Sequence, residues 1–332
     1  MKVVIVGGVA GGATAAARLR RLDEKAEIIV FEKSGYVSYA NCGLPYYVGG
    51  VIEDFEQLTL QSPEGFFSRY RIDVRVHHEV VKIDTAAKTV DVRNLETGAT
   101  FTESYDKLLL SPGARPVNPG IEGADGERVF TLRTLEDTVK IKAFADKQKP
   151  SRATVIGGGF IGLEIAENLA ERGVKTVVVE FADHILGPFD KDMASILHAE
   201  MRRGGVELML KTAVKSISEK GDALTVKTAD GKIFDTDMVV LAAGVAPDAS
   251  LASAAGIRTG IKGSIAVNEK METSAPDVYA VGDAVEVENL ALRTRALISL
   301  AGPANKQARI AADNIAGGNS KYDGSVGTSG IK

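Results

Sequence analysis

Apolar and polar positions at the start of the chain predict a strand, a turn, a helix and a second strand. Lys2–Val6 is a short apolar run typical of a buried strand, and a glycine-rich turn follows it directly. Ala13–Leu22 is rich in alanine, leucine and arginine, which favour a helix. The apolar run Glu27–Phe31 then predicts a second strand that ends at Glu32. This order is typical of a βαβ unit.

The same pattern returns near the middle of the chain. Ala153–Ile156 leads into a second glycine-rich turn, Leu163–Arg172 has a helical composition, and Thr176–Val179 predicts a strand that ends at Glu180. Two such units, about 150 residues apart, predict an α/β protein with two Rossmann-like dinucleotide-binding domains of three-layer architecture.

Breaks in the pattern predict that the second domain is inserted into the first. Ser111–Gly113 interrupts the strand that ends at Leu110, and Met238–Gly244 repeats the same strand-then-glycine pattern. The predicted first domain therefore comprises 1–115 and 245–332, and the predicted second domain comprises 116–244. The last segment, 317–332, is polar, glycine-rich and without periodicity, which predicts a frayed tail or a truncation point.

Composition removes several classes of protein. A net charge of −4 without a basic cluster argues against nucleic-acid binding. Gly7 interrupts the apolar start, and no apolar run approaches the roughly 18 residues that span a bilayer, so we expect a cytoplasmic protein without a membrane partner. A single cysteine excludes an intrachain disulfide, and His184 and His198 lack metal-ligand spacing, so no metal site is expected.

The second glycine-rich turn predicts a dinucleotide site. Gly157, Gly159 and Gly162 allow the backbone to approach a pyrophosphate at the start of a helix, and Glu180 ends the next strand, where a carboxylate can bind a ribose hydroxyl. A carboxylate suits a free 2′-hydroxyl and repels a 2′-phosphate, which favours NADH over NADPH. The alternative is a glycine-rich packing turn in an ordinary α/β protein.

The first turn predicts a second dinucleotide site on a less regular motif. Gly7 and Gly12 occupy the first and third glycine positions, whereas Val9 replaces the middle glycine. Glu32 follows at the spacing of the ribose-binding acid. Further along, a predicted strand leads directly into Gly282 and Asp283, an aspartate that could bind the ribityl and diphosphate part of a flavin; it could also simply end the strand in a turn.

These motifs together resemble those of the pyridine nucleotide-disulfide oxidoreductases, in the single-cysteine branch of coenzyme A-disulfide reductases, NADH oxidases and NADH-dependent persulfide reductases. The segments that carry the resemblance are spread over nearly the whole chain: Val6–Ala17, Phe31–Lys33, Ser38–Pro45, Leu110–Arg115, Gly157–Glu164, Thr273–Asp283 and Ala301–Asn305. The resemblance implies that the first domain binds FAD and that the inserted domain binds NADH. It also implies a homodimeric family with a third, dimer-forming domain that this chain is expected to lack.

The resemblance further implies which residues contact the cofactors and the substrate. FAD and NADH contacts are expected from Gly7, Val9, Ala10, Gly11, Gly12, Glu32, Lys33, Asn41, Pro112, Gly113, Gly157, Gly159, Phe160, Ile161, Gly162, Glu164, Glu180, Gly244, Gly282, Asp283 and Ala301. Phe160 corresponds to an aromatic residue that covers the flavin face. Glu164, two residues past Gly162, could lie near the nicotinamide, and an ordinary carboxylate at a helix start is the alternative. Coenzyme A contacts are expected from Thr14, Arg18, Arg21, Ser38, Asn41, Asn305 and Arg309. For the arginines of the first helix, a solvated basic face is the alternative.

Cys42 is the predicted redox centre, and the resemblance implies that it lies beside the flavin. It lies between Asn41 and Gly43, and Pro45 suits the first turn of a helix, whose positive end favours a thiolate. Without a second cysteine, the oxidised form is expected to be a mixed disulfide, a persulfide or a sulfenic acid. A lone cysteine that is only a small buried apolar residue is the alternative.

The predicted function is an FAD-dependent NADH oxidoreductase that reduces coenzyme A disulfide or persulfide at Cys42. Coenzyme A is then a substrate or a bound ligand. One alternative is an NADH oxidase in which Cys42 cycles through sulfenic acid and oxygen is the acceptor. Another is a module that binds FAD and NAD without turnover.

Overall fold

The computed structural model describes residues 1–328 and 330; Ser329, Ile331 and Lys332 lie outside the described residues. The chain forms two compact units. Unit 1 contains Met1–Tyr39, Thr59–Arg115 and the described residues from Ala246 onward. Unit 2 contains Ala40–Leu58 and Pro116–Val245.

The strands and helices have the following bounds along the chain. The strands are β1 (Lys2–Val6), β2 (Glu27–Phe31), β3 (Asp73–Arg75), β4 (His78–Asp84), β5 (Thr89–Asn94), β6 (Thr100–Ser104), β7 (Lys107–Leu110), β8 (Ala114–Pro116), β9 (Val129–Phe130), β10 (Arg152–Ile156), β11 (Lys175–Val179), β12 (Glu207–Met209), β13 (Val214–Lys220), β14 (Ala223–Thr228), β15 (Ile233–Thr236), β16 (Met238–Leu241), β17 (Val245–Pro247), β18 (Ile265–Ala266), β19 (Val278–Ala280), β20 (Val285–Asn289) and β21 (Thr294–Ala296). The α-helices are α1 (Ala10–Leu22), α2 (Leu44–Gly49), α3 (Pro63–Tyr70), α4 (Leu135–Gln148), α5 (Phe160–Glu171), α6 (Lys191–Arg203), α7 (Ser250–Ala254) and α8 (Ala301–Ile315).

Unit 1 is built on a five-stranded parallel sheet in the order β19–β7–β1–β2–β3. Its central strands are apolar at almost every position because both faces are covered, as in other parallel sheets. The packed helices α1 and α8 and the antiparallel sheet β4–β5–β6 contribute to the same core. The strand order reverses at β1, and ligands of doubly wound sheets bind at such a reversal.

Unit 2 repeats this plan with a parallel sheet in the order β12–β11–β10–β16–β9 and an antiparallel sheet β13–β14–β15. The strand order reverses at β10, directly before the second glycine-rich turn. The predicted α/β class with two Rossmann-like parallel sheets is confirmed. Helices α1 and α5 both begin three residues earlier than predicted, because the last glycines of each turn already lie within the helix.

The limits of the two units differ from the predicted domains at Val245, which the structure groups with unit 2, and in one longer segment. The sequence assigned 1–115 to the first domain, whereas the structure groups Ala40–Leu58 with unit 2. Helix α2 lies in this segment and packs on α4 and α5. The segment therefore belongs with the elements that it contacts rather than with those that precede it along the chain.

The prediction of a frayed tail from residue 317 is wrong for the described residues. Tyr322 is only 8% exposed and belongs to the core of unit 1. Its backbone N–H donates to the Glu269 carbonyl at 2.7 Å, and Ser325 forms a bridge to Asn289. A glycine-rich segment thus packs through one aromatic side chain. Within the described part of the chain, no helix is both long and apolar enough to cross a membrane.

Candidate dinucleotide and thiol sites

The first glycine-rich turn, between β1 and α1, is tightly packed. Gly7 has φ +94°, and a Cβ there would overlap the Ser111 carbonyl oxygen. A Cβ on Gly12 would overlap the carbonyl oxygen of Gly7, so the helix starts in direct contact with the turn. Both positions need glycine for packing, before any ligand is considered.

Glu32 holds this turn in place. Its carboxylate is 7% exposed and accepts the backbone N–H groups of Gly8 and Ser34, each at 2.8 Å. Each carboxylate oxygen retains a lone pair that can accept a ribose hydroxyl. The acid predicted to bind ribose therefore also organises the backbone that would face the pyrophosphate.

The ends of three parallel strands meet beside the first turn. A Cβ on Gly11 would collide with the side chains of Ser111, after β7, and Val281, after β19. The Gly282 N–H donates to the buried Gln307 side chain on α8 at 2.7 Å. Neither Ser111, in the segment Leu110–Arg115, nor Gln307 was predicted as a site residue, because their contacts join segments that are distant along the chain.

Several predicted coenzyme A contacts gather where α1 and α8 pack together. Thr14 donates to the Asn305 side chain at 2.7 Å, and Arg309 donates to the Asn305 carbonyl at 3.2 Å. Arg18 is paired with Asp313 at 2.8 Å, which offsets part of its charge. Arg21 lies exposed near the C-terminal end of α1.

Arg20, the remaining arginine of α1, forms its hydrogen bonds within the fold. Its guanidinium donates to the carbonyl groups of Asp23, Glu24, Tyr70 and Arg71 at 2.6 to 3.1 Å. It therefore supports the end of α1 rather than presenting its charge to a phosphate.

The other predicted residues of unit 1 lie in turns and at helix starts. Lys33 forms an ion pair with Asp248 at 3.2 Å, and the Ser38 N–H donates to the Gly8 carbonyl at 2.9 Å. Val9 is the N-cap of α1 and Ala10 is its first residue, Pro112 and Gly113 follow β7, Asp283 lies in the 3-10 turn after β19, and Ala301 begins α8.

In the second glycine-rich turn, between β10 and α5, two glycines are tightly packed and one faces open space. Gly157 has φ +112°, and a Cβ there would overlap the Ala242 carbonyl oxygen; a Cβ on Gly162 would overlap the carbonyl oxygen of Gly157. Gly159 differs, since a Cβ there would meet no atom within 4 Å. The open face of the turn thus lies at the middle glycine, where a pyrophosphate must come close.

Glu180 has the same part in unit 2 as Glu32 has in unit 1. It accepts the N–H of Gly158 at 2.6 Å and the N–H of Ala182 at 2.7 Å. Two lysines contact the residues that follow this acid along the chain. Lys191 is paired with Asp183 at 2.7 Å, and the Lys211 backbone N–H donates to the Ala182 carbonyl at 2.8 Å.

Two other predicted contacts in unit 2 border one small cleft. Ile161, at the start of α5, and Gly244, after β16, both line it together with Ala242 and Leu241. Phe160 packs edge-on against Phe189, with 6.5 Å between ring centroids. The cleft lies beside the turn that would bind the dinucleotide.

Cys42 is exposed and lies in a one-turn 3-10 helix, Asn41–Gly43, directly before α2. Pro45 occupies the first turn of α2, as the sequence predicted. The Asn41 side-chain amide donates to the Arg133 carbonyl at 3.5 Å. The buried apolar alternative for this thiol is therefore wrong, and the sulfur is open to a reagent.

The helix that follows Cys42 is anchored on α5. Arg172 donates to the Val48 carbonyl at 2.7 Å and pairs with Asp146 of α4. The Asn168 side chain lies so close to Gly49 that a Cβ on Gly49 would overlap it. The thiol and the second glycine-rich turn therefore lie at the starts of two helices that pack together.

Two side chains near the contact between α2 and α5 have raised pKa values. Burial, and then the charge of Glu167, raise the pKa of Glu164. Burial, and then the charges of Glu164 and Glu167, raise the pKa of the Tyr46 hydroxyl on α2. Among the described residues, no three His, Cys, Asp or Glu side chains are placed to hold a metal ion.

Comparison with known proteins shows the family. The family model "Pyridine nucleotide-disulphide oxidoreductase" matches residues 1–308. A coenzyme A disulfide reductase of Staphylococcus aureus is 38% identical over all 332 residues, which cover 74% of that protein.

Two solved structures are similar over nearly the whole chain. Reduced CoADR-RHD of Bacillus anthracis is 49% identical with a TM-score of 0.95, and the match covers 99% of this chain and 59% of that one. An NAD-dependent persulfide reductase of A. fulgidus is 37% identical with a TM-score of 0.93, and the match covers 98% of this chain and 61% of that one. This chain thus spans about three fifths of both solved proteins. The geometry of the two turns and the exposed thiol agree with the family model, which matches most of the sequence. The chain belongs to the pyridine nucleotide-disulphide oxidoreductases.

Proposed function

We propose that this chain is an FAD-dependent NADH oxidoreductase that reduces coenzyme A disulfide or coenzyme A persulfide through Cys42. The observation that carries the proposal is the exposed position of the chain's one cysteine at the start of α2, which packs on the helix of the second glycine-rich turn. The names of the relatives, a coenzyme A disulfide reductase and a persulfide reductase, support the same substrate class.

The two turns fit two dinucleotides. FAD would be held in unit 1 by the Gly7–Gly12 turn, with Glu32 on the adenosine ribose and Asp283 toward the ribityl chain. NADH would be held in unit 2, with its pyrophosphate at Gly159 and its adenosine ribose at Glu180. FAD, when bound, supplies a carrier that accepts hydride from NADH and delivers two electrons to sulfur.

Cys42 supplies the nucleophile. Its thiolate attacks one sulfur of coenzyme A disulfide, a new S–S bond forms to Cys42, and one coenzyme A thiolate leaves. Two electrons and one proton then break that bond, which releases the second coenzyme A thiol and restores the Cys42 thiolate. With coenzyme A persulfide, the Cys42 thiolate attacks the outer sulfur, a Cys42 persulfide forms, and the coenzyme A thiolate leaves. Two electrons then break the new S–S bond, which releases the outer sulfur as hydrosulfide and restores the Cys42 thiolate.

Binding of the coenzyme A phosphates is assigned to the α1–α8 contact in unit 1. Arg309 is exposed there, and Arg18 is shared with Asp313. Because guanidinium groups bind phosphates through paired hydrogen bonds, both arginines suit the role. The pair with Asp313 must open or share its acceptor when a phosphate binds.

The test is anaerobic NADH oxidation by the flavin-loaded protein with coenzyme A disulfide and with coenzyme A persulfide. We expect turnover with at least one acceptor, and we expect Cys42→Ser to abolish it while NADH still bleaches the flavin. The control is Cys42→Ser/Ser195→Cys, which returns one thiol to an exposed position on α6. It should remain inactive.

Other outcomes are distinguishable. Turnover that survives in Cys42→Ser would refute the thiol mechanism. Flavin bleaching without turnover on either acceptor would refute the reductase assignment, and subsequent oxygen consumption that needs Cys42 would identify an oxidase. Bleaching with no acceptor of any kind would identify a cofactor-binding module.

A further inference from the structure

Phe181 is an unusually exposed aromatic residue beside the second dinucleotide turn. It is 79% exposed, more than any other large apolar side chain of the described residues. It directly follows Glu180, whose carboxylate accepts the Gly158 N–H of the turn. A large apolar ring is therefore presented to solvent one residue from the acid assigned to ribose.

The backbone on both sides of Phe181 is fixed. The Glu180 N–H donates to the Met209 carbonyl at 2.9 Å, and the Glu180 carbonyl accepts the Thr212 N–H at 2.9 Å. The Ala182 carbonyl accepts the Lys211 N–H at 2.8 Å, and the Ala182 N–H donates to Glu180. Because residues 180 and 182 are both anchored, the ring cannot turn inward by a shift of the local chain.

The position of the ring limits which part of a dinucleotide it can meet. Consecutive Cα atoms are about 3.8 Å apart, so a ribose bound at Glu180 places its own base within reach of Phe181. Of the two bases of NADH, the one on that ribose is adenine, which is flat and apolar on its faces. An aromatic ring provides a matching face for stacking.

We propose that Phe181 is the platform on which the adenine ring of NADH stacks. This inference rests on the proposed NADH site in unit 2. Stacking of a base on an aromatic side chain commonly contributes roughly 5- to 150-fold in affinity. Because one face of the ring stays open to water, we expect the lower part of that range.

The experiment measures equilibrium binding of three probes: AMP, which carries the adenine half, NMN, which carries the nicotinamide half, and NADH. In the flavin-loaded protein, Phe181→Ala should weaken AMP and NADH by about 5- to 20-fold and leave NMN unchanged. Phe181→Trp should restore AMP affinity, because it keeps an aromatic face. Ile233→Ala removes another exposed apolar side chain of unit 2, 63% exposed, and should change none of the three affinities.

The results separate this inference from the proposal beneath it. AMP affinity that is unchanged in Phe181→Ala overturns the stacking role while leaving the NADH site in place. Equal losses for AMP and NMN overturn it as well, since the residue then acts on the whole site. If the unaltered protein binds neither AMP nor NADH, the NADH site itself is refuted and the inference falls with it.

Discussion

Replacement by alanine should lower the stability of the protein at Gly157 and its affinity for NADH at Gly159. At Gly157, alanine would have to adopt φ +112°, and its Cβ would lie 2.3 Å from the Ala242 carbonyl oxygen, a distance below the 3.0 Å that real Cβ atoms respect. The backbone conformation costs about 1–3 kcal/mol and the overlap a similar amount. We therefore expect Gly157→Ala to lower the free energy of unfolding of unit 2, which has roughly 150 residues, by about 4 kcal/mol, and its melting temperature by about 8–16 °C.

Gly159→Ala is the matched variant in the same turn. Its φ of −81° suits alanine, and the added Cβ meets no atom within 4 Å, so we expect stability within about 1 kcal/mol of the original protein. The methyl group would occupy the space assigned to the pyrophosphate, and NADH affinity should fall at least tenfold.

Thermal unfolding and NADH titration of both variants decide the matter. A stable Gly157→Ala variant would refute the packing argument. Unchanged NADH affinity in Gly159→Ala would refute the assignment of the open face to a dinucleotide.

Three other substitutions test the contacts around the sites. Arg172→Ala removes the hydrogen bond to the Val48 carbonyl and should lower the free energy of unfolding, measured by chemical denaturation, by about 1–3 kcal/mol. It should also change the rate at which a thiol reagent modifies Cys42. An unchanged rate would contradict the anchoring of α2. Burial raises the pKa of Glu164, so between the ordinary and the raised pKa the folded protein holds a proton that the unfolded chain has lost, and stability falls as pH rises through this window. Glu164→Gln should therefore stabilise the protein at pH 7 and have no effect on stability at the acid end of the window. Equal effects at both pH values would refute burial as the cause. Glu32→Ala leaves the buried Gly8 N–H unpaired and should cost about 1–3 kcal/mol and lower the ratio of bound flavin to protein, whereas a full flavin complement would count against the proposed ribose contact.

The sequence was informative where the structure depends on neighbours along the chain. Strands β1 and β2 have the predicted limits, and both glycine-rich turns lie where the pattern placed them. In each unit, the strand, the turn and the helix are consecutive, so apolar periodicity and glycine positions suffice to find them.

The sequence was silent where distant segments meet. Ser111, after β7, lies against Gly11 of the first turn, and Gln307 on α8 accepts the N–H of Gly282, which follows β19. Both contacts join segments that are distant along the chain, so neither residue was predicted as a site residue. Composition also predicted a loose tail, whereas the single aromatic residue Tyr322 packs that segment into the core of unit 1. The open role of Gly159 also required coordinates, because its neighbours in the motif are glycines for a different reason.

The segment 40–58 gives the most direct test of how the chain is divided. Helix α2 is six residues long, too short to be stable alone, and its Leu44 and Val48 are buried, at 2% and 0% exposure. Since burial of each such side chain contributes about 1.5–3 kcal/mol, removal of α2 should destabilise unit 2 substantially.

A fragment comprising 116–245 should therefore unfold more readily than the same fragment with a 40–58 peptide added in trans. The peptide should raise its melting temperature in a concentration-dependent way, because it binds only the folded form. The control peptide carries Leu44→Asp and Val48→Asp, which cannot be buried on α4 and α5, and it should have no effect. A fragment that is equally stable with and without the native peptide would show that residues 40–58 contribute nothing to unit 2. The division expected from the sequence, with 1–115 in one domain, would then describe the protein better than the grouping of α2 with its spatial neighbours.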